Sequence, residues 1–555
     1  MLIFVNFSTL AENFEIMKRN LTPKLFFAIA ALACLGSLSS CYKDYFDTNK
    51  YTTADYQPGI AVPLVHSTLT IDQIAPNGLG SVVNIANDFF VTLIYESTRT
   101  SPTANEMFRF ADQNFSDNVT VNGSEASQLN GGSPVTKNVT GNSVIVPFSP
   151  SNNEQVIGIT FSAGSLKVTL TNSTTAKAQV TFKLPTFIKG GQFSQSINVN
   201  ANSTVVSTFD LTDYVATLSQ FNTIDYDYTA AFTNGSGGTS GGDGVQVSAN
   251  ISGVSFAKLS GKLGTRTIDI MTDTTFITLF NNTDIPGNLN SQFNILLPEL
   301  KVTLGSDMKL PATTQANQMY GSSYNLPAIN LFAPSLFALL NYPNPNVAGE
   351  FNVSPPFVAD INNSNIKTIV DAKRNYLVTD FDATINPLGG NAINEVLGNG
   401  TFSVKKELSL PLRGLAFDFT IQDTLDFSFG QDIDKVQEAL FRVAIINGFP
   451  VEGNIQLFFT DDSYNILDSL IYFQDQKVIA AAPTDENGKS IGKTPKTTDI
   501  LVDGPRMALL KTGTQIIIRA RIASANNGAK PVKIYSSDEI DIKLGMQMKL
   551  AVGQL

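Results

Sequence analysis

Residues 539–550, EIDIKLGMQMKL, alternate apolar and polar side chains with unusual regularity. Successive side chains of a β-strand point to opposite faces of the sheet, so this period of two predicts a half-buried strand. The apolar face would carry Ile540, Ile542, Leu544, Met546, Met548 and Leu550. The opposite face would carry Asp541, Lys543, Gln547 and Lys549.

The same alternation appears earlier, at 166–172 and 178–183, with a polar turn between the two stretches. This is the signature of an antiparallel sheet with one solvated face. We therefore predict an all-β fold of several antiparallel β-sandwich domains with a few short helices. Further strands are predicted at 60–71, 89–96, 197–200, 205–209, 225–232, 245–251, 267–271, 441–446, 451–459, 466–473, 477–481 and 514–522.

Helices and loops are predicted at four places. Residues 432–440 fit a short amphipathic helix capped by Asp432. A second helix should begin near Asp503, with Pro505 in its first turn and Gly513 after its end. Two stretches rich in Asn, Ser, Gly and Thr predict a loop at 116–142 and a flexible hairpin loop at 234–244.

A weak internal repeat is visible in the strand pattern. The stretches LKVTLTN at 166–172 and FRVAIIN at 441–447 both end in Asn, and 276–281 and 381–386 look like further copies. Asn tolerates left-handed backbone and bonds its own main chain, so it ends a strand at a tight turn. The pattern fits either duplication of a sandwich unit or the ordinary way in which strands end.

These patterns suggest five segments. We assign 1–40 to a signal peptide, 41–157 to a tether and an N-terminal β region, and 158–272 to a β-sandwich. A β-rich middle domain would follow at 273–430. A C-terminal sandwich with two short helices would occupy 431–555.

The N-terminal segment has a secretory signal layout. Lys18, Arg19 and Lys24 precede the apolar run 25–35, which is shorter than the roughly 20 residues that cross a bilayer. Met17 is the expected true start, because the acidic residues before it do not suit such a signal.

The signal ends in Leu38, Ser39, Ser40 and Cys41, which resembles the bacterial lipobox. In that motif small residues precede a cysteine that becomes the lipidated first residue, so we predict a lipid anchor on Cys41. Cys34 is a poorer candidate because it lies inside the apolar run. The alternative is a cleaved secretory signal with an incidental cysteine.

The residues after Cys41 bear on location. Tyr42 in place of Asp resembles the pattern for sorting to the outer membrane. Lys43, Asp44 and Asp47 partly resemble the Lys/acidic tether by which Bacteroidota export lipoproteins to the cell surface. We therefore favour the cell surface slightly over the periplasmic face.

Composition excludes several classes of function. The formal net charge of −11 argues against nucleic acid or an anionic lipid surface as a partner. Both cysteines lie in or at the end of the signal, so the mature chain has no disulfide. With one His and no Trp, the chain has few residues suited to a Ser-His-acid triad, a metal site with His ligands, or a glycan site built on stacked aromatic rings.

Four motifs in the sequence contain residue types that could carry out chemistry or bind a ligand. The Gly-x-Ser-x-Gly match around Ser240 lies in a Gly-rich loop and lacks the strand–elbow–helix context of a nucleophile. His66 has no second ligand near it, which favours a plain strand or turn residue. The acids Asp461, Asp462 and Asp468 favour a solvated hairpin turn over calcium binding or catalysis. The tyrosines Tyr320, Tyr324 and Tyr342 could form an exposed glycan contact.

Three short motifs resemble the Asp-Ser/Thr-aliphatic O-glycosylation motif of Bacteroidota. Their acceptors would be Thr274, Thr424 and Ser469, although Thr275 departs from the aliphatic position of the first motif. Modification there would mark export and would say nothing about activity.

The chain resembles all-β outer-membrane lipoproteins of the Bacteroidota. Besides the lipobox, the resemblance is carried by QPGIAVPLV at 57–65, NGFP at 447–450 and IDIKLG at 540–545, and it runs over most of the mature chain. It implies a location and a fold, and it carries over no activity.

We accordingly expect a lipid-anchored outer-membrane protein that is a non-catalytic binding or scaffolding component of the cell envelope. Its partners would be the membrane, through Cys41, and an envelope protein, without nucleic acid, cofactor, metal or catalytic residues. Two alternatives stay open. One is a carrier of lipid or another hydrophobic ligand, with strands such as 539–550 lining an apolar groove. The other is a glycan-binding surface lipoprotein.

Overall fold

The computed structural model describes residues 59–70, 81–148, 151, 153–270, 272–278, 292–324, 326–389, 391–417, 419–426, 436–471, 477–526 and 528–550. Antiparallel strands dominate these residues, and five short helices occur among them. The predicted all-β class is confirmed.

The elements up to residue 262 are β1 (Gly59–Thr70), β2 (Ser81–Ile85), β3 (Val91–Thr100), α1 (Ala104–Met107), β4 (Gln113–Thr120), α2 (Gly123–Asn130), β5 (Val135–Ile145), β6 (Gln155–Asn172), β7 (Lys177–Ile188), β8 (Gln192–Val199), β9 (Ser203–Asp210), β10 (Val215–Thr217), β11 (Thr223–Thr233) and β12 (Gly244–Lys262). The middle elements are β13 (Arg266–Asp269), β14 (Asp273–Phe276), β15 (Gln292–Ile295), β16 (Glu299–Ser306), β17 (Ala312–Ser323), β18 (Leu326–Asn330), α3 (Pro334–Phe337), β19 (Leu340–Asn341), β20 (Asn352–Val353), β21 (Phe357–Ala359), α4 (Ile366–Asp371), β22 (Tyr376–Ile385), β23 (Asn394–Leu397), β24 (Phe402–Pro411), β25 (Arg413–Phe417) and β26 (Phe419–Asp426). The last elements are β27 (Val436–Asn447), β28 (Val451–Thr460), β29 (Ile466–Ser469), β30 (Thr494–Val502), α5 (Gly504–Leu510), β31 (Gln515–Ser524), β32 (Val532–Lys533) and β33 (Glu539–Leu550).

Strands β4 to β12 form a two-layer sandwich. One layer has the order β4-β12-β6-β9 and the other has the order β5-β11-β7-β8. Aromatic side chains join the layers: the ring of Phe115 on β4 lies 4.4 Å from Tyr226 on β11 and 6.2 Å from Phe182 on β7. The short strand β10 pairs with both β6 and β7, so it connects the two layers at one end.

The first pair of predicted strands crosses between these layers. The stretches 166–172 and 178–183 are strands of β6 and β7, as predicted, but they share no ladder; each pairs within its own layer. The turn between them therefore forms an arch from one sheet to the other. Likewise, 234–244 connects β11 to β12 across the layers, so the prediction of a hairpin there is wrong.

A second sandwich is built from the middle elements together with β2 and β3. One layer has the order β2-β3-β24-β16, with β20 and β21 beside β16. The other centres on β22 and β17, with the shorter strands β13, β14, β18 and β19 at their sides. The rings of Tyr342 and Phe402 meet at 4.8 Å between the layers.

A third sandwich is formed by the last strands and by β1. Its layers have the orders β1-β33-β27-β30 and β26-β31-β28-β29. The predicted strand 539–550 is confirmed as β33, the inner partner of both β1 and β27. Its apolar residues Ile540, Ile542, Leu544 and Met546 are buried, as the alternation required.

The three sandwiches are nested along the chain. The chain starts in the last sandwich with β1, enters the middle one with β2 and β3, and completes the sandwich of β4 to β12 before it returns through the middle one to the last. Strand pairing thus runs across the predicted domain boundaries, for example between Gly59 and Lys549. The boundaries themselves stay predictions.

Three further local predictions are wrong. Residues 477–481, expected as a strand, contain an isolated bridge between Ile479 and Gly453 instead. Residues 436–440, expected in a helix, belong to β27, which is paired on both sides with β30 and β33. A register shift between Val436 and Glu438 breaks the alternation there, so the apolar spacing imitates a helix. The expected loop at 116–142 contains parts of β4 and β5 and the whole of α2, whose Asn122 and Glu125 form a capping box.

The second predicted helix is confirmed as α5. Asp503 caps it by accepting a hydrogen bond from the backbone N–H of Arg506 at 3.1 Å, and Pro505 lies in its first turn. Its buried residues Met507 and Leu510 pack into the core of the third sandwich. The prediction for 503–513 succeeded because capping chemistry is local to the sequence.

Candidate functional site

An open groove of about 490 Å³ lies on the outer face of the β4-β12-β6-β9 sheet. Alternation along the strands explains its polar surface: Val247 and Ala249 are buried, whereas Ser248 and Asn250 point outward. The polar lining comes from three neighbouring strands: Asn114 and Ser116 on β4, Ser248 and Asn250 on β12, and Lys167 and Thr169 on β6.

The strand register creates the depression. Ser116, Ser248 and Thr169 are partners across β4, β12 and β6, so short side chains form one row. The next row, two residues along the strands and about 7 Å away, contains the longer side chains of its own register partners. These are Asn114, Asn250 and Lys167. The short row is the floor of the groove, and the long row is one wall.

Two amides in the wall hold each other in place. Asn250 Nδ2 donates to Asn114 Oδ1 at 2.8 Å. Because each amide has a donor end and an acceptor end, this bond leaves the Asn250 carbonyl oxygen as an acceptor and the Asn114 NH₂ group as a donor. The wall therefore presents a donor and an acceptor side by side, on strands that fix their spacing.

Lys167 gives the groove a positive charge. Within the residues that the structure describes, Lys167 has no carboxylate partner, whereas Lys137, Lys258 and Lys405 are each within 2.8 Å of one. Among the described residues, no acidic side chain lines the groove, although the whole chain carries a net charge of −11. Lys167 is also its one ionisable side chain, so the arrangement suits binding by hydrogen bonds and charge.

A second polar cluster is buried between the layers of the middle sandwich. Lys406 Nζ lies 2.9 Å from Asp273 Oδ2, and both side chains are less than a tenth exposed. Arg99 Nε donates to Asp273 Oδ1 at 3.0 Å, and Ser97 Oγ donates to the other carboxylate oxygen. Lys406 also donates to Thr379 Oγ1 at 3.0 Å.

Burial and pairing act against each other in this cluster. Burial lowers the pKa of Lys406 to about 8, although the carboxylate of Asp273 opposes the shift. Burial alone would raise the pKa of Asp273, but Lys406, Ser97 and Arg99 hold it below its usual value. Lys406 also bonds the backbone carbonyls of Asp273 and Leu377 at 3.1 and 3.3 Å. The donors Lys406, Ser97 and Arg99 belong to one layer, and their acceptors on β14 and β22 belong to the other, so these bonds clamp the two layers together.

The predicted lipid anchor lies outside the described residues. This applies to Cys41 and to Leu38, Ser39 and Ser40 before it. Among the described residues, none of the helices is both long and apolar enough to cross a membrane.

The three predicted glycosylation acceptors differ in exposure. Thr274 on β14 and Thr424 on β26 are exposed. Ser469 on β29 is half-buried, and its Oγ donates to the Ile471 carbonyl at 3.3 Å. A transferase needs an accessible hydroxyl, so Thr274 and Thr424 fit the prediction better than Ser469. Modification at any of them stays a prediction.

His66 lies in β1 on the exposed face of its sheet, which confirms its prediction as a strand residue. Its Nε2 lies 2.6 Å from Asp541 Oδ1, and Lys543 Nζ lies 3.2 Å from the other carboxylate oxygen. Burial would raise the pKa of Asp541, but hydrogen bonds from Lys543 and His66 lower it. The three side chains form a solvated ion-pair group.

The acids near residue 461 do not converge. Asp461 lies in the turn between β28 and β29, where its Oδ1 accepts the N–H groups of Ser463 and Asn465, each at 2.9 Å. Asp468 is buried instead and accepts a bond from Arg506 Nε at 2.9 Å. The hairpin turn is confirmed, and the carboxylates of Asp461 and Asp468 are engaged with different partners.

Ser240 and the tyrosines contribute no site. Ser240 is exposed in the connection between β11 and β12, which is not a strand–elbow–helix context. Tyr324 is exposed, Tyr320 is half-buried and Tyr342 is buried between the layers of the middle sandwich. The three tyrosines, which could have formed an exposed glycan contact, therefore do not lie in one exposed row.

Sequence reasoning missed both polar clusters. β4 lies in a stretch whose composition predicts a loop; the signal was that Phe115, Val119 and Val121 all lie at odd-numbered positions, with Asp117 interrupting the alternation. Lys406 lies in a basic run that looks solvated. It could have been found because it alternates in phase with Val404 and Leu408 on the apolar face of β24.

Comparison with known proteins gives weak likenesses. No family model matches the chain, and no curated protein matches it. Among solved structures, it is similar to a candidate secreted protein from Parabacteroides distasonis, with 12% identity, coverage of 53% of this chain and 89% of that chain, and a TM-score of 0.28. It is also similar to PBSX exported protein XepA (8% identity, 54% and 86% coverage, TM-score 0.13) and to infectious bursal disease virus, Gx strain (8%, 81% and 82%, 0.14). At these scores the likenesses carry no weight for function.

Proposed function

We propose that this chain is a lipid-anchored outer-membrane protein that binds another component of the cell envelope without transforming it. The observation that carries the binding role is the groove on the β4-β12-β6-β9 sheet, where strand register holds Asn114 and Asn250 in a fixed pair. The lipobox that ends at Cys41 supports the anchor and the location.

The predicted anchor precedes a strand of the third sandwich, whereas the groove belongs to the sandwich of β4 to β12. Cys41 precedes Gly59, the first residue of β1, by 59 − 41 = 18 residues. An extended chain of that length reaches about 60 Å at most. The tether would keep the sandwich that contains β1 within that distance of the membrane, and the groove belongs to a different sandwich, that of β4 to β12.

The carrier alternative has no comparable support. The strand 539–550 was expected to line an apolar groove in that case, but its side chains Ile540, Ile542, Leu544 and Met546 are buried in the core of the third sandwich. The described groove is lined by hydroxyl, amide and amine groups, which do not favour a hydrophobic ligand.

The test is native mass spectrometry of the full lipidated chain taken from its own envelope in mild detergent. We expect a stoichiometric envelope component in addition to the lipid on Cys41. Ser248→Tyr fills the floor of the groove and should release that component. Thr181→Tyr is the matched control on the opposite sheet. Thr181 is paired there with Ser196 and Thr229, just as Ser248 is paired with Ser116 and Thr169. A wild-type chain that carries nothing beyond its anchor lipid would overturn the proposal.

A further inference from the structure

We propose that the groove binds an oligosaccharide that carries a negatively charged sugar. This inference rests on the proposed binding function and names the chemical class of the bound component. It is drawn from the hydrogen-bonding groups of the groove, from its charge and from the pairing of the strands beneath it.

The hydrogen-bonding groups match a chain of hydroxyl groups. A sugar hydroxyl donates one hydrogen bond and accepts others, and so do the Ser, Thr and Asn side chains of the lining. The acceptor on Asn250 and the donor on Asn114 lie next to each other, as adjacent hydroxyls on a sugar ring require. Fixed amides keep this pair in place before a ligand arrives, which reduces the entropic cost of binding.

The rows continue beyond the three strands that line the deepest part. On β9, Thr208 follows Lys167 in the wall row and Val206 follows Thr169 in the floor row. Neighbouring strands lie about 4.8 Å apart, so each row crosses the four strands over about 15 Å. Val206 is exposed and offers an apolar contact for the C–H face of a ring at the end of the row. The surface has the length of a short oligosaccharide.

The charge of the groove selects an anionic sugar. Lys167 has no carboxylate partner among the described residues, and no acidic side chain lines the groove. The outward face of the opposite sheet carries Asp225 and Asp227, with Lys183 in register with Asp227. On the groove's own sheet, Asp210 of β9 is exposed outside the lining, in register with Ser165. The net charge of −11 would repel an anion at long range, but salt screens charges more than about 8 Å apart. Within the described lining itself, Lys167 is the charged side chain that a bound ligand meets.

The same surface fits a protein or peptide poorly. Strand addition needs unpaired backbone groups, but β12 and β6, beneath the groove, are paired along both edges. Protein interfaces are anchored by aromatic and Arg side chains. Phe115 is the aromatic residue of the lining, and its ring packs inward, 4.4 Å from Tyr226.

Without an aromatic ring on which a sugar could stack, we expect a weak complex, with a Kd on the order of 1 mM for a short glycan.

The experiment uses the full lipidated chain in detergent on an array of neutral oligosaccharides and of oligosaccharides that contain uronic or sialic acid. We expect binding to acidic members. Replacing the wall pair with Asn114→Ala and Asn250→Ala should weaken it at least about tenfold, the loss expected when two neutral hydrogen bonds to sugar hydroxyls are removed. Lys167→Ala should weaken binding of acidic members and leave neutral ones unchanged. Lys183→Ala on the opposite sheet is the matched control and should have no effect.

Two results would overturn the inference: no binding by the wild-type chain to any array member, or binding that persists in the Ser248→Tyr variant. The native mass measurement separates this failure from that of the proposed function. If the wild-type chain carries an envelope component that Ser248→Tyr releases, but binds no glycan, the binding role stands and the ligand class is wrong. If it carries no component and binds no glycan, both proposals fail.

Discussion

Asn172 and Asn447, at the ends of β6 and β27, make the same pair of hydrogen bonds to the chain ahead of them. Each Oδ1 accepts the N–H of the residue two positions on, at 2.9 Å, and each Nδ2 donates to the carbonyl four positions on, at 2.7 Å. Both side chains are buried, and both begin an arch from one layer of a sandwich to the other. This shared geometry favours duplication of a sandwich unit over coincidence in strand endings.

Replacing either Asn with Ala should destabilise its sandwich. Asn447 Nδ2 contacts three backbone carbonyls, those of Phe449, Val451 and Ala480, and its loss would leave buried groups without partners. Each such group costs about 1–3 kcal/mol, so we expect a loss of roughly 3 kcal/mol in the free energy of unfolding. Urea denaturation provides the measurement. Asn198→Ala is the exposed control, and an equal loss there would contradict the explanation.

Breaking the buried pair in the middle sandwich should cost more than breaking a surface pair on the same strand. Lys406→Met leaves Asp273 in the interior without its closest cation, and we expect a loss of about 3–5 kcal/mol. The control is Lys405→Met, which removes an exposed pair with Glu96 worth about 0–1 kcal/mol. Lys406→Met combined with Asp273→Leu should recover most of the loss in urea unfolding. Additive losses in the double variant would refute the clamp.

Stability should depend on pH through Asp538, a buried residue in the turn before β33. Burial raises its pKa to about 6, against the opposing hydrogen bond from the Tyr535 N–H and the charge of Lys489. The folded chain therefore holds this proton more tightly than the unfolded chain, whose value is 3.8. The contribution of protonated Asp538 to the free energy of unfolding is complete below pH 3.8, the pKa in the unfolded chain, and is lost as the pH rises through about 6.

Asp538→Asn should accordingly stabilise the protein, and by about 1 kcal/mol more at pH 7.5 than at pH 5. The comparison needs urea curves at both pH values. Asp461→Asn serves as a control for which the expected change in the free energy of unfolding has the opposite sign. Hydrogen bonds from Asn465 and Ser463 lower the pKa of Asp461, so loss of this charge should destabilise the folded chain. A gain for Asp538→Asn that is the same at both pH values would show that its charge is not the cause.

Cys41→Ser should release the protein from the membrane fraction, because the sulfur to which the lipid would be attached is absent. Fractionation and intact mass of the protein give the two readouts: location and loss of the lipid mass. Cys34→Ser is the matched control, since it changes the other cysteine of the signal. Release caused by Cys34→Ser but not by Cys41→Ser would move the anchor to Cys34.

Sequence patterns predicted this fold where one strand alone carries the information. Ile540 to Met546 alternate without interruption, and Asp503 with Pro505 marks a helix start by local chemistry. The patterns failed where partners far along the chain decide the structure. Residues 436–440 become a strand because β30 and β33 flank them, which overrides a helical spacing.

The groove was beyond sequence reasoning for a related reason. Its wall joins Asn114, Lys167 and Asn250, which are remote in the chain and meet through the register of β4, β12 and β6. Register is set by how whole strands pair, so no single stretch contains it. Lys406 and Asp273 illustrate the same limit: each segment looks unremarkable, and the charge pair exists only when two sheets stack.

The nesting of the sandwiches imposes an order of folding. The unit from β4 to β12 contains all of its main strands in one continuous segment, so it can form before the rest of the chain is available. β1, by contrast, pairs with β33 alone among the described strands, so the first of them cannot pair until the last one is present. Loop closure over such a distance is slow. The protein thus assembles from the inside outward, and a chain cut anywhere before β33 leaves β1 as an unpaired edge that invites aggregation.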